Sequence, residues 1–464
     1  MTTRIALDTV IAAAPAHVTV TRDGTGAVTQ AAFDLSGLPR VDAALIGRPV
    51  MEVPSLVAHL CGICPSAHHL AGMRALESLA GLGELPPTAQ AVRRLLHLGG
   101  VVAIHVVGLI ATDRDDALVL RRFAKAAMAA AGSPGHFPVT GVPGGVAAPI
   151  DAGARDACLA LLPDALAAAN RIAERGLLQP SQPDSFTGAD VVLVDQAGRP
   201  DLFGTRLRAI GPDGRVLIDA APPQSYDDLV AEAMPGSPTP KPYLVPLGKG
   251  STYRVGPVAQ QRAGLGATSP AAAVMNSTWR TAGFPGGAAT ARAIVVVDAV
   301  ETIGGLLADK ALEKGPCALP WPKTLPAGVG VGWVDGARGL LVHRYQTTAD
   351  GRIAAATILT PTAQNEPWLG ELLASAATPS GAAARPEAGD AIHDRVEWAI
   401  KEADPCLPCS SAPAGTMDLV IDDEPLGTDT IGPTVDDSSN GPLGTVPNGS
   451  TVDHSSNGIT REER

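Results

Sequence analysis

Four cysteines in two CxxC pairs carry the chemistry most open to reading from residue types alone: Cys61 and Cys64 near one end of the chain, Cys406 and Cys409 near the other. A CxxC turn points both sulfurs the same way, and two such turns complete a four-thiolate set for a soft metal. Zinc ribbons keep their pairs some tens of residues apart, whereas here most of the 464-residue chain lies between them. A centre that staples both ends of a large domain fits nickel or iron as well as zinc, and a structural zinc site is the bland alternative. Cys158 and Cys317 stand apart from any partner motif and read as small buried hydrophobes.

The first pair must be held by a helix. Pro65 follows Cys64, and Ser66 to Ala80 have helical spacing, so both sulfurs fall just before or within a first turn. A helix N-terminus favours the thiolate form that a metal needs. The second pair should follow a helix from about Ala391 to Ala403, which Asp404-Pro405 ends. Further long Ala/Leu/Val-rich helices are expected at 86–112, 150–178 and 286–313. Strand signals appear as a hairpin over 17–35 around Asp23-Gly24, a strand at Val191 to Val194 with turns at Gln196 to Gly198 and Asp213-Gly214, and a hairpin from Gly339 to Leu359 around Asp350-Gly351. The expected fold class is therefore α+β and helix-rich, a central bundle of long helices with peripheral β-hairpins.

Composition narrows the function classes. Hydrophobic residues make up 45%, charged ones 18% and aromatics only 3%, which calls for a core of Ala, Val and Leu in closely packed helices. The formal charge is −12, and the ten acids and two bases from Pro413 onward account for −8 of it. Nothing basic suggests a nucleic-acid surface. The most apolar run, Leu95 to Ala111, contains His97, His105 and Gly99-Gly100 and reads as a buried core helix rather than a transmembrane span. The N-terminus carries no signal-peptide pattern, since Asp8 interrupts its apolar run, so a cytoplasmic location is expected. Residues 1–424 should form one domain. Residues 425–464 turn to Gly, Ser, Thr, Asp and Pro, repeat TVDDSSNG (Thr434 to Gly441) as TVDHSSNG (Thr451 to Gly458), and read as an acidic disordered tail.

CGICPSAHHLAG (Cys61 to Gly72) and DPCLPC (Asp404 to Cys409) together resemble the two signatures of the [NiFe]-hydrogenase large subunit. STYRVGPVAQ (Ser251 to Gln260), GARGLLVHRY (Gly336 to Tyr345) and TAQN (Thr362 to Asn365) resemble further segments of that family in the same order, closest in style to its soluble, cytoplasmic, bidirectional group. The resemblance implies the large-subunit fold and reversible heterolytic cleavage of H2 at a Ni–Fe centre whose iron carries CO and cyanide. It implies Cys61 and Cys406 as terminal nickel ligands and Cys64 and Cys409 as bridges to iron. His68 would hydrogen-bond near a bridging sulfur, and Arg338 would lie over the metals, as a charge or as a base. Asp42 stands where the family places a Glu associated with magnesium, and a carboxylate suits that hard cation. The implied partners are an iron–sulfur small subunit, maturation proteins, and a diaphorase-type NAD(P) or other electron-transfer module.

Departures from the pattern fall on functional positions. His59 stands where the family has an Arg before the first CxxC. Ala12 to His17 contains no carboxylate where the family has a proton-relaying Glu, and Asp42 and His17 are the candidates to replace it. Ala412 stands where a His is expected three residues after the last Cys, the point at which a maturation protease cuts. These departures favour, as the alternative, a hydrogen-sensing or regulatory relative with the same fold. A quinone-reductase-type subunit sharing the fold is disfavoured by the complete set of four cysteines.

Overall fold

The computed structural model describes residues 16–36, 42–110, 112–182, 184–237, 239–263, 269–378, 389–407, 417 and 419–425. Met1 to Leu426 gather into one compact unit. The acidic repeat assigned to the tail lies outside the described residues, as do Ala12 and Ala412.

The small aliphatic composition expresses itself as four long helices packed side by side: Pro87–Leu109, Arg114–Ala130, Ala152–Leu177 and Gly287–Ala308. Ala, Val and Leu make up most of the residues these helices bury. The Pro87–Leu109 helix is long and apolar enough to cross a bilayer, and 67% of its most apolar window is buried inside the protein. Its place is the bundle centre. The segment expected to be helical over 286–313 breaks at Ala308, because Asp309 turns extended and only a 3-10 turn, Lys310–Glu313, follows. The Arg114–Ala130 helix was not among the sequence expectations. It buries Ala117, Leu120, Phe123, Ala124, Ala127 and Ala130 at helical spacing, a stripe of mostly small residues.

Among the described residues, three sheets of three or four strands and two of two strands accompany the bundle. Ala16–Arg22 and Val28–Phe33 form the expected N-terminal hairpin, and Asp23 Oδ1 closes its turn by accepting from the N–H of Thr25 and of Ala27. That hairpin gains a third strand from the far end of the chain, since Leu419–Pro425 pairs in parallel with Ala16–Arg22. A four-stranded sheet runs Tyr253–Arg254, Ala189–Val194, Arg206–Ile210 and Val216–Ala221 in spatial order. The third sheet contains the expected hairpin, Gly339–Thr347 with Ile353–Leu359, and adds Gly328–Gly336 as a third, antiparallel strand.

That added strand lies against the cysteine-bearing helix, Pro65–Leu79. The approach is so close that a Cβ on Gly332 would sit 2.2 Å from the backbone N of Ala75 and 2.3 Å from the carbonyl of Ala71. Only glycine permits this contact. It fixes the helix and its N-terminal sulfurs against the strand leading into Arg338.

Candidate metal centre

Cys64 is the N-cap residue of Pro65–Leu79, and Pro65 at the first helical position sets the turn that presents Cys61 and Cys64. Gly62 and Ile63 at the tip of the turn face outward. Cys406 arrives from the other end of the chain. The Gly389–Ala403 helix stops at Asp404, which adopts a left-handed φ of 47° while its N–H still reaches the carbonyl of Ile400. The Cys406 N–H then donates to Thr362 Oγ1 at 2.8 Å. The TAQN segment thus has a physical task, and its other members share it. Gln364 accepts from Tyr253 and donates to the carbonyl of Leu340, and Asn365 binds both backbone polar groups of Val255. It ties the second cysteine turn to the loop after Arg254 and to the strand after Arg338.

The three described sulfurs of the set, those of Cys61, Cys64 and Cys406, all lie within 4.8 Å of one another. Cys64 and Cys61 are 3.0 Å apart, and Cys61 and Cys406 are 3.9 Å apart. Cys409 lies outside the described residues. The sulfurs line a cavity of about 280 Å³ that Asp42, His68, Glu232 and Arg338 also line. Hydrogen bonds from Cys406 and then from Cys64 push the Cys61 thiol far down. Cys64 is driven up by its bonds to Cys406 and Cys61 and by burial, and Cys406 is pushed up to about 11, chiefly by Cys61. Helix-terminus stabilisation of Cys64 is therefore overridden by crowding among the sulfurs. A divalent cation placed among them would relieve that repulsion and allow all to ionise. The donor set fits a soft metal.

Two walls flank the sulfurs. On one side, His68 Nδ1 meets His343 Nε2 at 3.0 Å, and His343 Nδ1 meets the hydroxyl of Tyr345 at 2.5 Å. All three are buried, and burial holds His343 well below the usual histidine range. A neutral His343 carries a single N–H that could sit on either nitrogen, and a hydrogen bond from His68 to Cys61 gives the chain its direction. Tyr345 donates to Nδ1, His343 Nε2–H donates to His68, and His68 keeps its second N–H for sulfur. That bond reaches Cys61, whose thiol it lowers. His343 and Tyr345 share one face of a strand, so their i, i+2 spacing was a usable signal.

On the other side, Arg338 donates from Nε to the carbonyl of Asp404 at 3.0 Å and from Nη2 to its carboxylate at 3.2 Å. Burial lowers the guanidinium, but the charges of Asp404, Cys406 and Cys64 outweigh it and leave Arg338 above its ordinary value. A fully charged guanidinium suits stabilisation of negative charge and does not suit a base. Its turn is held by two glycines in contact. A Cβ on Gly256 (φ 98°) would strike the Arg338 carbonyl at 2.5 Å, and one on Gly339 (φ 121°) would strike the Gly256 nitrogen at 2.6 Å.

Asp42 is buried and lines the same cavity as the cysteines, and His17 is exposed on its strand and does not line it. His59 turns away, bonding the Ser55 carbonyl at 2.7 Å and stacking on Phe137. His97 and His105 are core histidines, lowered to about 4 and about 3 by burial. Glu232 is a cavity carboxylate that the sequence did not announce, because it reaches the site on a three-residue strand, Val230–Glu232, that carries no motif.

The fold and site together define a class: a helix-rich α+β protein in which segments far apart in the chain bring a part-buried cluster of thiols into one cavity with an arginine. Residues 41–113 match the family model for nickel-dependent hydrogenases. The chain is 28% identical over 400 residues to the vhu F420-non-reducing hydrogenase chain of Methanocaldococcus jannaschii, covering 78% of this chain and 95% of that one. It is 28% identical over 428 residues to the beta chain of the NAD-reducing hydrogenase HoxS of Cupriavidus necator, covering 81% and 87%. A solved NAD+-reducing [NiFe]-hydrogenase in the H2-reduced state superposes with a TM-score of 0.72 at 28% identity, over 84% of this chain and 95% of that one. A Ni-Fe-Se hydrogenase from D. vulgaris Hildenborough shares the fold, with a TM-score of 0.61 at 17% identity. Over most of its length the chain is similar to nickel-dependent hydrogenase chains of the F420-non-reducing and NAD-reducing types.

Proposed function

We propose that this chain is the catalytic subunit of a [NiFe] hydrogenase that cleaves H2 reversibly and heterolytically and passes the electrons to an iron–sulfur small subunit. The observation that carries this reading is the convergence of Cys61, Cys64 and Cys406 beneath Arg338. Cys61 and Cys406 would be terminal nickel ligands, and Cys64 and Cys409 would bridge to an iron bearing CO and cyanide. When bound, the group supplies the Lewis acidity and electron storage that H2, a very weak acid, requires.

The chain's own residues do the rest. The Cys406 sulfur is the proton acceptor beside the reacting site. Arg338, fixed by Asp404, holds positive charge over the cyanide side of the group. His68, oriented through His343 and Tyr345, keeps a hydrogen bond on Cys61. Asp42 is the candidate carboxylate for a magnesium ion. Cys158 is buried alone and Cys317 reaches only the Gly315 carbonyl, so neither adds to a second cluster among the described residues. The electron relay therefore belongs to a small-subunit partner, with a diaphorase-type module beyond it, maturation proteins to load the metals, and a cytoplasmic setting.

Infrared spectroscopy of the purified complex, with nickel and iron quantified on the same sample, tests the reading. CO and cyanide bands with both metals present are expected, together with H2-dependent dye reduction. A fully loaded protein without those bands would overturn it. Bands without dye reduction would favour hydrogen sensing, the reading that the carboxylate-free stretch from Ala12 to His17 supports.

A further inference from the structure

The thiolate cavity is not the last empty space on the Arg338 side. A void of about 10 Å³, room for about one water, lies beyond it and is lined by Arg338, Asp404, Trp368 and Glu402. A third cavity of about 60 Å³ follows, and Trp368 and Glu402 line this one as well. Arg338 thus borders the first and second spaces, and Glu402 borders the second and third. The third reaches the surface at Trp398, which is 44% exposed, and Glu371 stands on its wall.

The outer cavity is built for water despite its aromatic lining. Trp279 Nε1 and Gln182 Oε1 both belong to residues on its wall, and both are buried with no hydrogen-bond partner among the described residues. Ordered water is the ordinary way to satisfy such atoms. Gln182 Oε1 also lies close to Glu402 Oε1, since both sit within 2.6 Å of the point where a Cβ on Gly287 would be.

We propose that Glu402 is the proton-transferring residue that connects the thiolate cavity to the surface, in place of a carboxylate between Ala12 and His17. This rests on the hydrogenase reading. In H2 oxidation, a protonated water in the inner void breaks an O–H bond as the Glu402 carboxylate forms one. The carboxyl then gives that proton to a water in the outer cavity, and Glu402 returns to the carboxylate. No electrons move along this route; they leave through the metal group to the partner subunit.

The surroundings suit a group that must exchange a proton. Burial raises Glu402 above the usual carboxylate range, and Asp184 raises it further. Arg292 on the neighbouring helix, the Ala288 N–H and Arg254 act against them, while Glu371 stands across the cavity. Glu402 Oε1 accepts from the Ala288 N–H at 2.5 Å, so the carboxyl is held by one oxygen. Arg292 is committed to the backbone carbonyls of Lys401 and Glu402. Those contacts keep Arg292 beside the carboxyl without neutralising it through a direct pair.

The experiment compares wild type, Glu402→Gln and Glu402→Asp as metal-loaded complexes with the small subunit. Gln keeps an acceptor for the Ala288 N–H, so E402Q should retain metal content, CO and cyanide bands and thermal midpoint. Its H2-dependent dye reduction should fall by at least about tenfold with an enlarged solvent isotope effect, and E402D should recover most of the loss. A second readout is independent of turnover: the redox-difference infrared spectrum should show a D2O-sensitive carboxyl band in wild type that E402Q lacks. Wild-type turnover with an unchanged carboxyl band in a fully loaded E402Q would overturn the proposal, as would a loss of activity that tracks loss of metal. Failure of the hydrogenase reading looks different, because wild type and E402Q would then be equally inactive.

Discussion

The two walls around the sulfurs are built from opposite materials. The His68–His343–Tyr345 wall is buried and made of ring nitrogens and a hydroxyl, with its hydrogen bonds running toward Cys61. The Arg338–Asp404–Glu402 wall is charged and is threaded by voids that reach the surface. The contrast separates two tasks that conflict in a low-dielectric site. Holding a thiolate at fixed potential needs donors that never exchange, whereas releasing protons needs groups that do. Placing His68 against Cys61, and Arg338 beside Cys406 and Cys64, gives the two tasks to different sulfurs.

Removing what both walls serve should have the largest effect. Cys406→Ala should abolish H2-dependent dye reduction and leave the purified complex depleted of nickel, read by metal analysis; full nickel occupancy would remove Cys406 from the ligand set. On the charged wall, Arg338→Lys keeps the charge and loses the fork to Asp404. Activity should fall by about 10²-fold with metal retained. On the histidine wall the effects should be structural and smaller. His343→Phe leaves His68 Nδ1 buried without its donor, at a cost of about 1–3 kcal/mol in denaturant unfolding, and Tyr345→Phe should cost only about 1 kcal/mol. Equal activity losses from Arg338→Lys and Tyr345→Phe would erase the distinction between the walls.

The smallest test concerns Asp335, buried on the strand that leads into Arg338 and raised to about 7 by burial. A raised acid stabilises the fold while protonated. Its contribution is full below the unfolded value near 3.8 and is lost as pH rises toward about 7. Asp335→Asn should therefore flatten the stability profile across that window, checked by urea unfolding at several pH values. An unchanged slope would mean that Asp335 is ionised in the fold.

Legibility in the sequence followed how local each signal was. The cysteine helix and the helix ending at Asp404 could be read, because Pro65 and Asp404-Pro405 act on their immediate neighbours. The N-terminal hairpin could be read from alternation and one turn. The Arg114–Ala130 helix carried a readable stripe, but a stripe made largely of alanine contrasts weakly with its flanks. The Gly328–Gly336 strand was obscured because its glycines are placed for contact with Ala71 and Ala75, a tertiary reason that reads locally as loop. Within the site, the cysteines, His68 and Arg338 came from motifs. Glu402 and Glu232 could not, since their relevance lies in cavities assembled from segments distant in the chain.

The parallel pairing of Ala16–Arg22 with Leu419–Pro425 has a consequence for how the molecule is made. Arg22 and Asp423, joined at 2.8 Å, are 401 residues apart, and Cys61 and Cys406 are 345 apart. Contacts of such separation form only after the intervening chain has left the ribosome, and their loop-closure entropy makes them late events in folding. The helix bundle, whose partners are mostly nearer in sequence, can consolidate first. Cys61 and Cys406 would then stay apart until the segments around Leu419–Pro425 dock, which makes the gathering of the thiols one of the last steps by which the fold closes.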